Sequence, residues 1–320
     1  MNPGASGTPD VHGSALPEGQ PSGVPEGYAV VDKPAGLTSH RLLADIGRTL
    51  EARTGAPVKL GHAGTLDSFA TGVLICLFGR YTRLSDFFMG AGKGYEAVVA
   101  FGAETDTLDP SGSVVAEGPP PDRAALEAAL PRFRGAIMQA PPAYSAVHVD
   151  GERAWERALR GEAVAPRERP VTVGELELLD YADGRARIRV SCSKGTYVRS
   201  LARDIALACG SRSHLAALRR TFSGPFRVED AVAPDAFDAS AIRCLTLADA
   251  SGLGLAVESL AEPDAGAFAH GLPLFRVKAF KGREGDGRPV AAFGPGEAFL
   301  GIATGNSGAW RYAVVFEPRP

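Results

Sequence analysis

The sequence has little of what defines several common protein classes. Its 320 residues include only four cysteines, none in a CxxC or Cys/His spacing that would hold zinc. No apolar run approaches the roughly 20 residues that a membrane-spanning helix needs. Basic residues are not in excess, and the formal net charge of −3 argues against indiscriminate binding of nucleic acid. We therefore expect a cytoplasmic protein without metal, whose cysteines are reduced and mostly buried.

The rest of the composition is that of a globular protein. Hydrophobic residues make up 45% and charged residues 22% of the chain, and its length allows two domains. Residues 1–26 differ, with five prolines, five glycines, three serines and no lysine or arginine. Such a segment buries too little apolar surface to offset its ordering entropy, and it lacks the basic and apolar regions of a signal peptide. We expect a disordered tail.

One loop, residues 61–72, combines features that are unusual for a protein surface. It holds three glycines, which permit positive φ angles and close approach of another backbone or a ligand. Its one acidic residue, Asp67, is flanked by Leu66 and Phe69, and no lysine or arginine lies between positions 60 and 79. A carboxylate in such surroundings needs a partner from elsewhere in the chain or from a substrate. The alternative is a solvated aspartate that caps the next turn.

Six further segments form short motifs of glycine, proline, tyrosine and arginine. They are Val31–Ser39, Lys93–Tyr95 with Thr105–Thr107 after it, Pro142–Val147, Arg169–Val173, Cys192–Arg199 and Leu218–Arg220. Together with the Asp67 loop, G-H-A-G-T-L-D-S-F-A-T-G, they resemble in order the motifs of the pseudouridine synthases of the tRNA position-55 class. The resemblance covers roughly residues 27–230. It departs at Ser68, where the family usually has proline. The restriction that a proline ring places on φ is therefore missing after the aspartate.

The resemblance implies a fold, a substrate and a division into domains. The fold is an α+β pseudouridine-synthase fold with a long, mixed, largely antiparallel central sheet in residues 27–235. Residues 141–170, with five arginines and four prolines, are expected to be an irregular insertion that contacts RNA. Residues 245–320 are similar to a small β-rich, PUA-like domain. The substrate is uridine-55 in the T-arm of tRNA, reached by base flipping. The enzyme is expected to be a monomer and to need no cofactor.

The spacing of apolar residues predicts the main elements. Strands are expected at Tyr28–Asp32, Tyr95–Phe101, Val171–Leu179 and Arg185–Cys192, and helices after Thr38 or Ser39, at Asp122–Leu130 and at Thr196–Cys209. Asp183-Gly184 predicts a hairpin turn between two of these strands. The apolar run Gly72–Phe78 is interpreted as a helix start or a buried segment. Three further strands are expected at Pro289–Phe293, Ala298–Ala303 and Trp310–Phe316.

The chemistry of uridine isomerisation assigns roles to five residues of these motifs. The C1′–N1 bond must break, and C5 must then join C1′. Asp67 acts as a nucleophile at C1′ or as a base at C2′, and the sequence leaves both open. Tyr95 stacks on the uracil and moves a proton. Arg199 is the expected ion-pair partner of Asp67, because a guanidinium keeps its charge in a closed pocket. Tyr197 and Leu218 line the pocket that holds the base.

Other residues are assigned to RNA binding or to structure. His62 is the candidate to fill the stack that the flipped base leaves, although a lone histidine is more often structural. Between Val190 and Arg227 seven basic residues face one acid, Asp204, which predicts a local basic surface. Arg219 and Arg220 are expected to contact the RNA backbone there. Asp32 and Lys33 are taken as structural, and Asp106 as a brace for its loop.

Two other functions compete with this interpretation. A glycoside-cleaving hydrolase could use Asp67 and stop after bond scission, but it would usually need a second carboxylate as general acid. An RNA-binding or RNA-folding protein would not need Asp67, Tyr95 and Arg199 together. The products formed from tRNA would distinguish the three.

Overall fold

The computed structural model describes residues 25–164, 166–281, 287–306 and 309–316. The predicted tail at residues 1–26 lies almost wholly outside this part. In chain order, the elements up to residue 227 are β1 (Gly27–Lys33), α1 (Ser39–Thr54), β2 (Leu60–His62), β3 (Thr71–Phe78), α2 (Ser85–Gly90), β4 (Lys93–Phe101), β5 (Ala103–Thr105), β6 (Val114–Glu117), α3 (Arg123–Ala129), β7 (Gly135–Gln139), β8 (His148–Val149), β9 (Glu152–Arg153), α4 (Ala154–Leu159), β10 (Arg169–Ala182), β11 (Arg185–Cys192), α5 (Val198–Ala208), β12 (Ser213–Ser223) and β13 (Phe226–Arg227).

A nine-stranded sheet forms the centre of the molecule. Its strand order is β1-β3-β12-β4-β11-β10-β7, with β2 added to β3 and β13 added to β12. The β3–β12 pair is parallel, and the other described pairs of this sheet are antiparallel. The predicted α+β class with a mixed, largely antiparallel sheet is confirmed. The hairpin is also confirmed, because Asp183 and Gly184 join β10 to β11 with φ angles of 50° and 71°.

Strand β3 corrects one prediction. The run Gly72–Phe78 is a strand, and a helix start there is wrong. Its alternate residues pack into two different clusters. Leu74 and Phe78 face α1, while Val73 and Ile75 face the C-terminal part of the chain. A strand that is buried on both faces has a continuous apolar sequence, so it lacks the alternation of apolar and polar residues that identifies most strands.

The predicted insertion at residues 141–170 contains a short hairpin, β8 and β9, followed by helix α4. Its arginines are largely paired inside the segment. Arg157 binds Asp150 and Glu162, and Arg160 binds Glu152 and Glu162. The insertion is therefore a locally organised unit, and its predicted contact with RNA stays a prediction.

Four residues on neighbouring strands stand directly opposite one another across the sheet. Lys33 pairs with Gly72, Gly72 with Arg220, and Arg220 with Tyr95. Directly opposed residues project from the same face of a sheet. Gly72 has a φ of 104°, and a Cβ there would lie 2.2 Å from the carbonyl oxygen of Arg220. This position therefore admits only glycine, and it brings β12 close to the strand that follows the Asp67 loop.

The C-terminal part is β-rich, as predicted. Its elements are α6 (Leu247–Gly252), β14 (Ala256–Ser259), α7 (Asp264–Ala269), β15 (Val290–Phe293), β16 (Phe299–Asn306) and β17 (Ala309–Val315). The strands form a four-stranded sheet in the order β14-β15-β16-β17. The three predicted strands are confirmed as β15, β16 and β17, and β14 was not predicted. The similarity to a PUA-like domain stays a prediction.

This C-terminal part shares an apolar cluster with β1 and β3. The Tyr28 hydroxyl donates to Asp249 at 2.7 Å, and the ring of Tyr81 lies 5.0 Å from that of Phe316. The backbone N–H of Leu245 donates to the Tyr81 hydroxyl at 3.0 Å. The face of β1 and β3 opposite α1 is thus covered by residues from the end of the chain.

The cysteines follow the prediction only in part. Cys76 and Cys192 are buried, Cys209 is half-buried and Cys244 is exposed, all as free thiols. Among the described residues, no helix is long and apolar enough to cross a membrane.

Gly72→Ala tests the close approach of β3 and β12, with Gly55→Ala as its control. Gly55 ends α1 with a φ of 69° and has open space around its Cβ position. Both substitutions strain the backbone by about 1–2 kcal/mol, but Gly72→Ala adds overpacking worth about 1–3 kcal/mol. We expect urea unfolding to show a clearly larger loss of stability for Gly72→Ala. Equal losses would contradict the close contact.

Candidate active site

The loop that carries Asp67 is fixed on both sides of the carboxylate. Before it, the Ser39 hydroxyl donates to the carbonyl of Leu66 at 3.0 Å and accepts from the Leu66 N–H at 2.9 Å. After it, the Lys33 ammonium donates to the carbonyl of Ser68 at 3.3 Å. Lys33 and Ser39 are both buried. Side chains of β1 and α1 therefore fix the loop backbone on either side of Asp67.

Ser68 lies in a tight turn in which the N–H of Ala70 donates to the carbonyl of Asp67 at 3.1 Å. Proline is favoured at the first central position of such turns because it fixes φ. Here the carbonyl of Ser68 also accepts from the N–H of Gly36 at 2.8 Å. Tertiary hydrogen bonds thus hold the turn without proline.

Asp67 forms the ion pair that the sequence predicted with Arg199. Arg199 lies in the first turn of α5, with Nε 2.9 Å from Oδ2 of Asp67 and Nη2 3.0 Å from Oδ1. The guanidinium thus meets both carboxylate oxygens in a forked arrangement, in which the Nη2 contact is a hydrogen bond and the Nε contact is an ion pair only. The Arg199 side chain is 5% exposed and that of Asp67 is 34% exposed. The carboxylate therefore projects from a buried guanidinium toward solvent.

Asp109 is a site residue that sequence reasoning missed. Its Oδ2 lies 3.5 Å from Nη1 of Arg199, and its Oδ1 accepts hydrogen bonds from the Thr107 hydroxyl and the Ser111 N–H. The predicted brace, Asp106, instead accepts from the N–H of Ser113 at an exposed turn. The two aspartates are three residues apart in a loop without periodicity, so spacing could not show which one points inward.

The environment of Asp67 has opposing effects on its ionisation. Burial raises the pKa of the Asp67 carboxyl above its ordinary value, and the Arg199 guanidinium is the main opposing influence. Asp109 raises this pKa further, while Lys33 lowers it. Arg199 is therefore what keeps an anion available at this position.

Tyr95 lies on β4 next to Arg220 and is buried, with 7% of its surface exposed. Burial raises the pKa of the Tyr95 hydroxyl, and Arg220 partly offsets this. The tyrosine thus retains its proton at neutral pH. Leu218 belongs to the same apolar cluster as Tyr95, Leu66 and Ala70, so the predicted wall of the base pocket adjoins the Asp67 loop.

Arg220 cannot make the phosphate contact that the sequence predicted. It is 1% exposed, and its guanidinium donates to the carbonyls of Val73 at 2.6 Å and Gly64 at 3.1 Å. Arg219 projects from the opposite face and binds Asp32 through two bonds of 3.0 and 2.8 Å. Arg219 retains 42% side-chain exposure, so it alone of this pair is accessible to RNA.

The predicted basic surface is also reduced by acids from distant segments. Arg219 pairs with Asp32, and Arg212 lies 3.9 Å from Glu104, while Arg203 pairs with its neighbour Asp204. Lys194 remains exposed. Because most of these acids lie far away in the sequence, a local count of charges overestimated the basic character of this region.

His62 ends strand β2 and is half-buried. Among the described residues, its Nδ1 is buried without a hydrogen-bond partner. Burial lowers the pKa of His62, with Arg220 and His40 lowering it further, so the imidazole is neutral at physiological pH. A neutral ring can stack on a base without a large desolvation cost.

Tyr197 immediately precedes α5. Its N–H donates to Oε1 of buried Gln139 at 2.8 Å, and the Arg169 guanidinium lies 5.1 Å from its ring centre. Both contacts connect Tyr197 to the ends of the 141–170 insertion. The structure thus brings together Asp67, Arg199, Tyr95 and Leu218, with Tyr197 at the start of the helix that carries Arg199.

Comparison with known proteins agrees with this geometry. Residues 50–198 match the TruB family pseudouridylate synthase N-terminal domain. A curated relative from Thermobifida fusca, named tRNA pseudouridine synthase B, is 39% identical over 301 residues, covering 91% of this chain and 98% of its own. One of the same name from Bordetella parapertussis is 45% identical over 218 residues, covering 67% and 87%.

Solved structures show the same fold at lower identity. A Cbf5-Nop10-Gar1 complex aligns with a TM-score of 0.68 and 24% identity, covering 97% of this chain and 93% of the other. An H/ACA RNP bound to a substrate RNA containing 2′-deoxyuridine aligns with a TM-score of 0.64 and 23% identity, covering 92% and 86%. From the sequence relatives and the domain match, we conclude that this chain belongs to the TruB family of pseudouridylate synthases and is an isomerase that acts on tRNA.

Proposed function

We propose that the enzyme isomerises uridine-55 in the T-arm of tRNA by flipping this nucleotide into a cleft at Asp67. The main support is the forked ion pair, in which a partly exposed carboxylate is fixed by a guanidinium that RNA cannot reach. A carboxylate held in this way is pre-oriented toward a substrate. The resemblance in seven motifs supports the choice of position 55.

In this proposal Asp67 starts the reaction. It either attacks C1′ or removes a proton from C2′, and in both routes the C1′–N1 bond breaks. The uracil turns, C5 bonds to C1′, the C5 proton is lost and N1 takes up a proton. Asp67 is restored, either by release from C1′ or by return of the proton to C2′. No redox change or phosphoryl transfer occurs, so these residues are sufficient without a cofactor.

The detached base is held by Tyr95, Tyr197 and Leu218. The ring of Tyr95 stacks on the uracil, and its hydroxyl, which keeps its proton, donates or relays one during the rearrangement. Leu218 supplies an apolar wall in the same cluster. Tyr197 closes the side next to Arg199.

His62 is proposed to occupy the position in the RNA stack that the flipped uridine leaves. Its neutral imidazole and its unpaired Nδ1 support this role, because the ring is not committed to a hydrogen bond within the protein. Flipping a base from a folded arm costs a few kcal/mol, which a stacked side chain can offset.

The surrounding contacts to RNA are proposed for Arg219 and the 141–170 insertion. The carbonyl of Tyr144, inside the insertion, accepts from Nη2 of Arg199 at 3.1 Å. The insertion is therefore anchored directly beside the catalytic ion pair. We also propose that the active form of the enzyme is a monomer.

A glycoside-cleaving hydrolase is less well supported. The second carboxylate nearby, Asp109, is engaged with Arg199, Thr107 and Ser111, which suits a brace for Arg199 rather than a group that protonates a leaving base. Pseudouridine as the product, rather than an abasic site, would distinguish the two.

Asp67→Asn should abolish pseudouridine formation while tRNA affinity changes by no more than about 2-fold, because the amide keeps the shape but loses the charge. Unmodified tRNA transcript is treated with the variant, and modified positions are mapped. Asp45→Asn is the control, since Asp45 is an exposed aspartate of α1. Product at another position in the wild type would refute the position-55 assignment, and product from a clean Asp67→Asn preparation would refute the role of Asp67.

Arg199→Met should shift the acid limb of the pH–rate profile to higher pH. Burial already raises the Asp67 pKa, and Arg199 lowers it. Loss of the guanidinium should move the limb to higher pH, since Asp67 must be ionised to react. Single-turnover rates across pH provide the measurement. Arg203→Met removes a cation one turn further along α5 and should leave the limb in place. An unmoved limb in Arg199→Met would contradict the assignment.

His62→Ala should slow the reaction on a folded T-arm stem-loop by about 10- to 100-fold, the value of one lost stacking contact. On a strand whose target base is already unstacked, the same variant should be nearly unaffected. His40→Ala, at an exposed neighbour on α1, is the control. If His62 only supports the Asp67 loop, both substrates will lose activity equally and the melting temperature will fall.

A further inference from the structure

Buried charge is concentrated in one place in the described part of the chain. Five charged residues have less than a tenth of their surface exposed, and all five lie against the Asp67 loop or against Arg199. They are Lys33, Lys93, Asp109, Arg199 and Arg220. Four are cations, whereas Asp109 and the partly exposed Asp67 are the carboxylates that face them. The floor of the site thus carries more positive than negative charge.

Of the cations outside the ion pair with Asp67, Arg220 and Lys93 lie beside Tyr95. Arg220 stands directly opposite Tyr95, and Lys93 precedes it by two residues on β4, so these side chains project from one face. Lys93 Cε and Arg220 Nη1 would each lie 3.7 Å from a Cβ atom added at Gly64. Lys33 continues the same row across the sheet.

The contacts of these cations do not by themselves require a charge. Lys93 donates to the carbonyls of Met89 and Ala91 at 3.0 and 2.9 Å. Lys33 donates to Pro34 and Leu37 at 2.9 and 2.7 Å. Neutral donors could satisfy carbonyls without the cost of burying an ion.

Burial makes both lysines harder to protonate. Burial, together with the nearby Arg220, lowers the pKa of Lys33 and of Lys93 to about 8. The positive charge is therefore costly to keep. Asp67 offsets part of this cost at Lys33, whereas no carboxylate does so at Lys93. A partner that is anionic only during the reaction would account for the charge.

We propose that Lys33, Lys93 and Arg220 form an electrostatic cradle that stabilises the uracil while it is detached and negatively charged. This inference rests on the proposed function. The cradle would act when the base is neither bonded through N1 nor yet bonded through C5, and it would also keep the base from leaving the cleft.

The charge balance of both possible routes requires such a partner. If Asp67 attacks C1′, its negative charge is lost in the new ester and the C1′–N1 electron pair leaves with uracil. If Asp67 takes the C2′ proton, the carboxylate becomes neutral, a C1′–C2′ double bond forms and the same electron pair leaves with uracil. Either way one negative charge moves from Asp67 to the base. Fixed cations in a buried site stabilise charge that develops in this way.

Lys93 gives the most direct test, because its charge can be removed in two ways. Lys93→Gln retains a hydrogen-bond donor, and Lys93→Met retains the length of the side chain. Single-turnover reactions with tRNA labelled in the uracil base report both pseudouridine and free uracil. We expect each variant to slow pseudouridine formation by at least about 10-fold at saturating tRNA and to release free uracil. The affinity for tRNA should remain unchanged.

Two controls separate the charge from the fold and from RNA binding. Lys93→Arg keeps the charge and should recover most of the rate. Lys194→Met removes an exposed lysine that lies close to Lys93 in space. Its charge is screened by solvent, so the change should affect tRNA affinity at most. If Lys93→Met fails to fold, Lys93→Gln decides the question.

A Lys93→Gln enzyme with a rate within about 2-fold of wild type would overturn the proposal. So would equal losses in Lys93→Arg and Lys93→Gln with a matching fall in melting temperature, since that result indicates a purely structural role. Failure of the proposed function is distinguishable, because the wild type itself would then form no pseudouridine at position 55.

Discussion

The site depends on the contacts of one buried guanidinium. Arg199 binds Asp67 through a fork, lies 3.5 Å from Asp109, and donates to the carbonyls of Thr107 and Tyr144. These partners lie in three different loops. Loops do not hold a fixed geometry by their own backbone hydrogen bonds, so a shared, fully charged partner gives them a common reference point. Helix α5 supplies that partner from a packed element.

The central sheet contributes a second constraint through backbone proximity. Gly72 allows β12 to lie close against β3, and this places Arg220 under Gly64 and beside Tyr95. Arg219, the preceding residue, projects from the opposite face of the strand and binds Asp32. Strand alternation therefore gives two adjacent arginines unrelated roles. One belongs to the interior of the site, and the other lies on the far face of the sheet.

Elements with a clear period were predictable from the sequence, and contacts between distant segments were not. The alternation in Arg185–Cys192 and the Asp183-Gly184 turn identified a hairpin. The apolar run at Gly72–Phe78 concealed a strand, because both of its faces are covered. Asp67 and Arg199 were recognisable because their motifs carry glycine, tyrosine and a specific order. Asp109 and the burial of Arg220 depend on tertiary packing that no local pattern encodes.

The shared apolar cluster of Tyr28, Tyr81 and Phe316 has a consequence for how the chain reaches its final state. Strand β1 leaves the ribosome well before the residues beyond 245 that cover one of its faces. That face must stay exposed until those residues have been synthesised. Contacts between such distant segments close late and make folding slow. The nascent catalytic part therefore exposes an apolar surface that a chaperone can bind. This surface is covered only when the C-terminal strands pack against it.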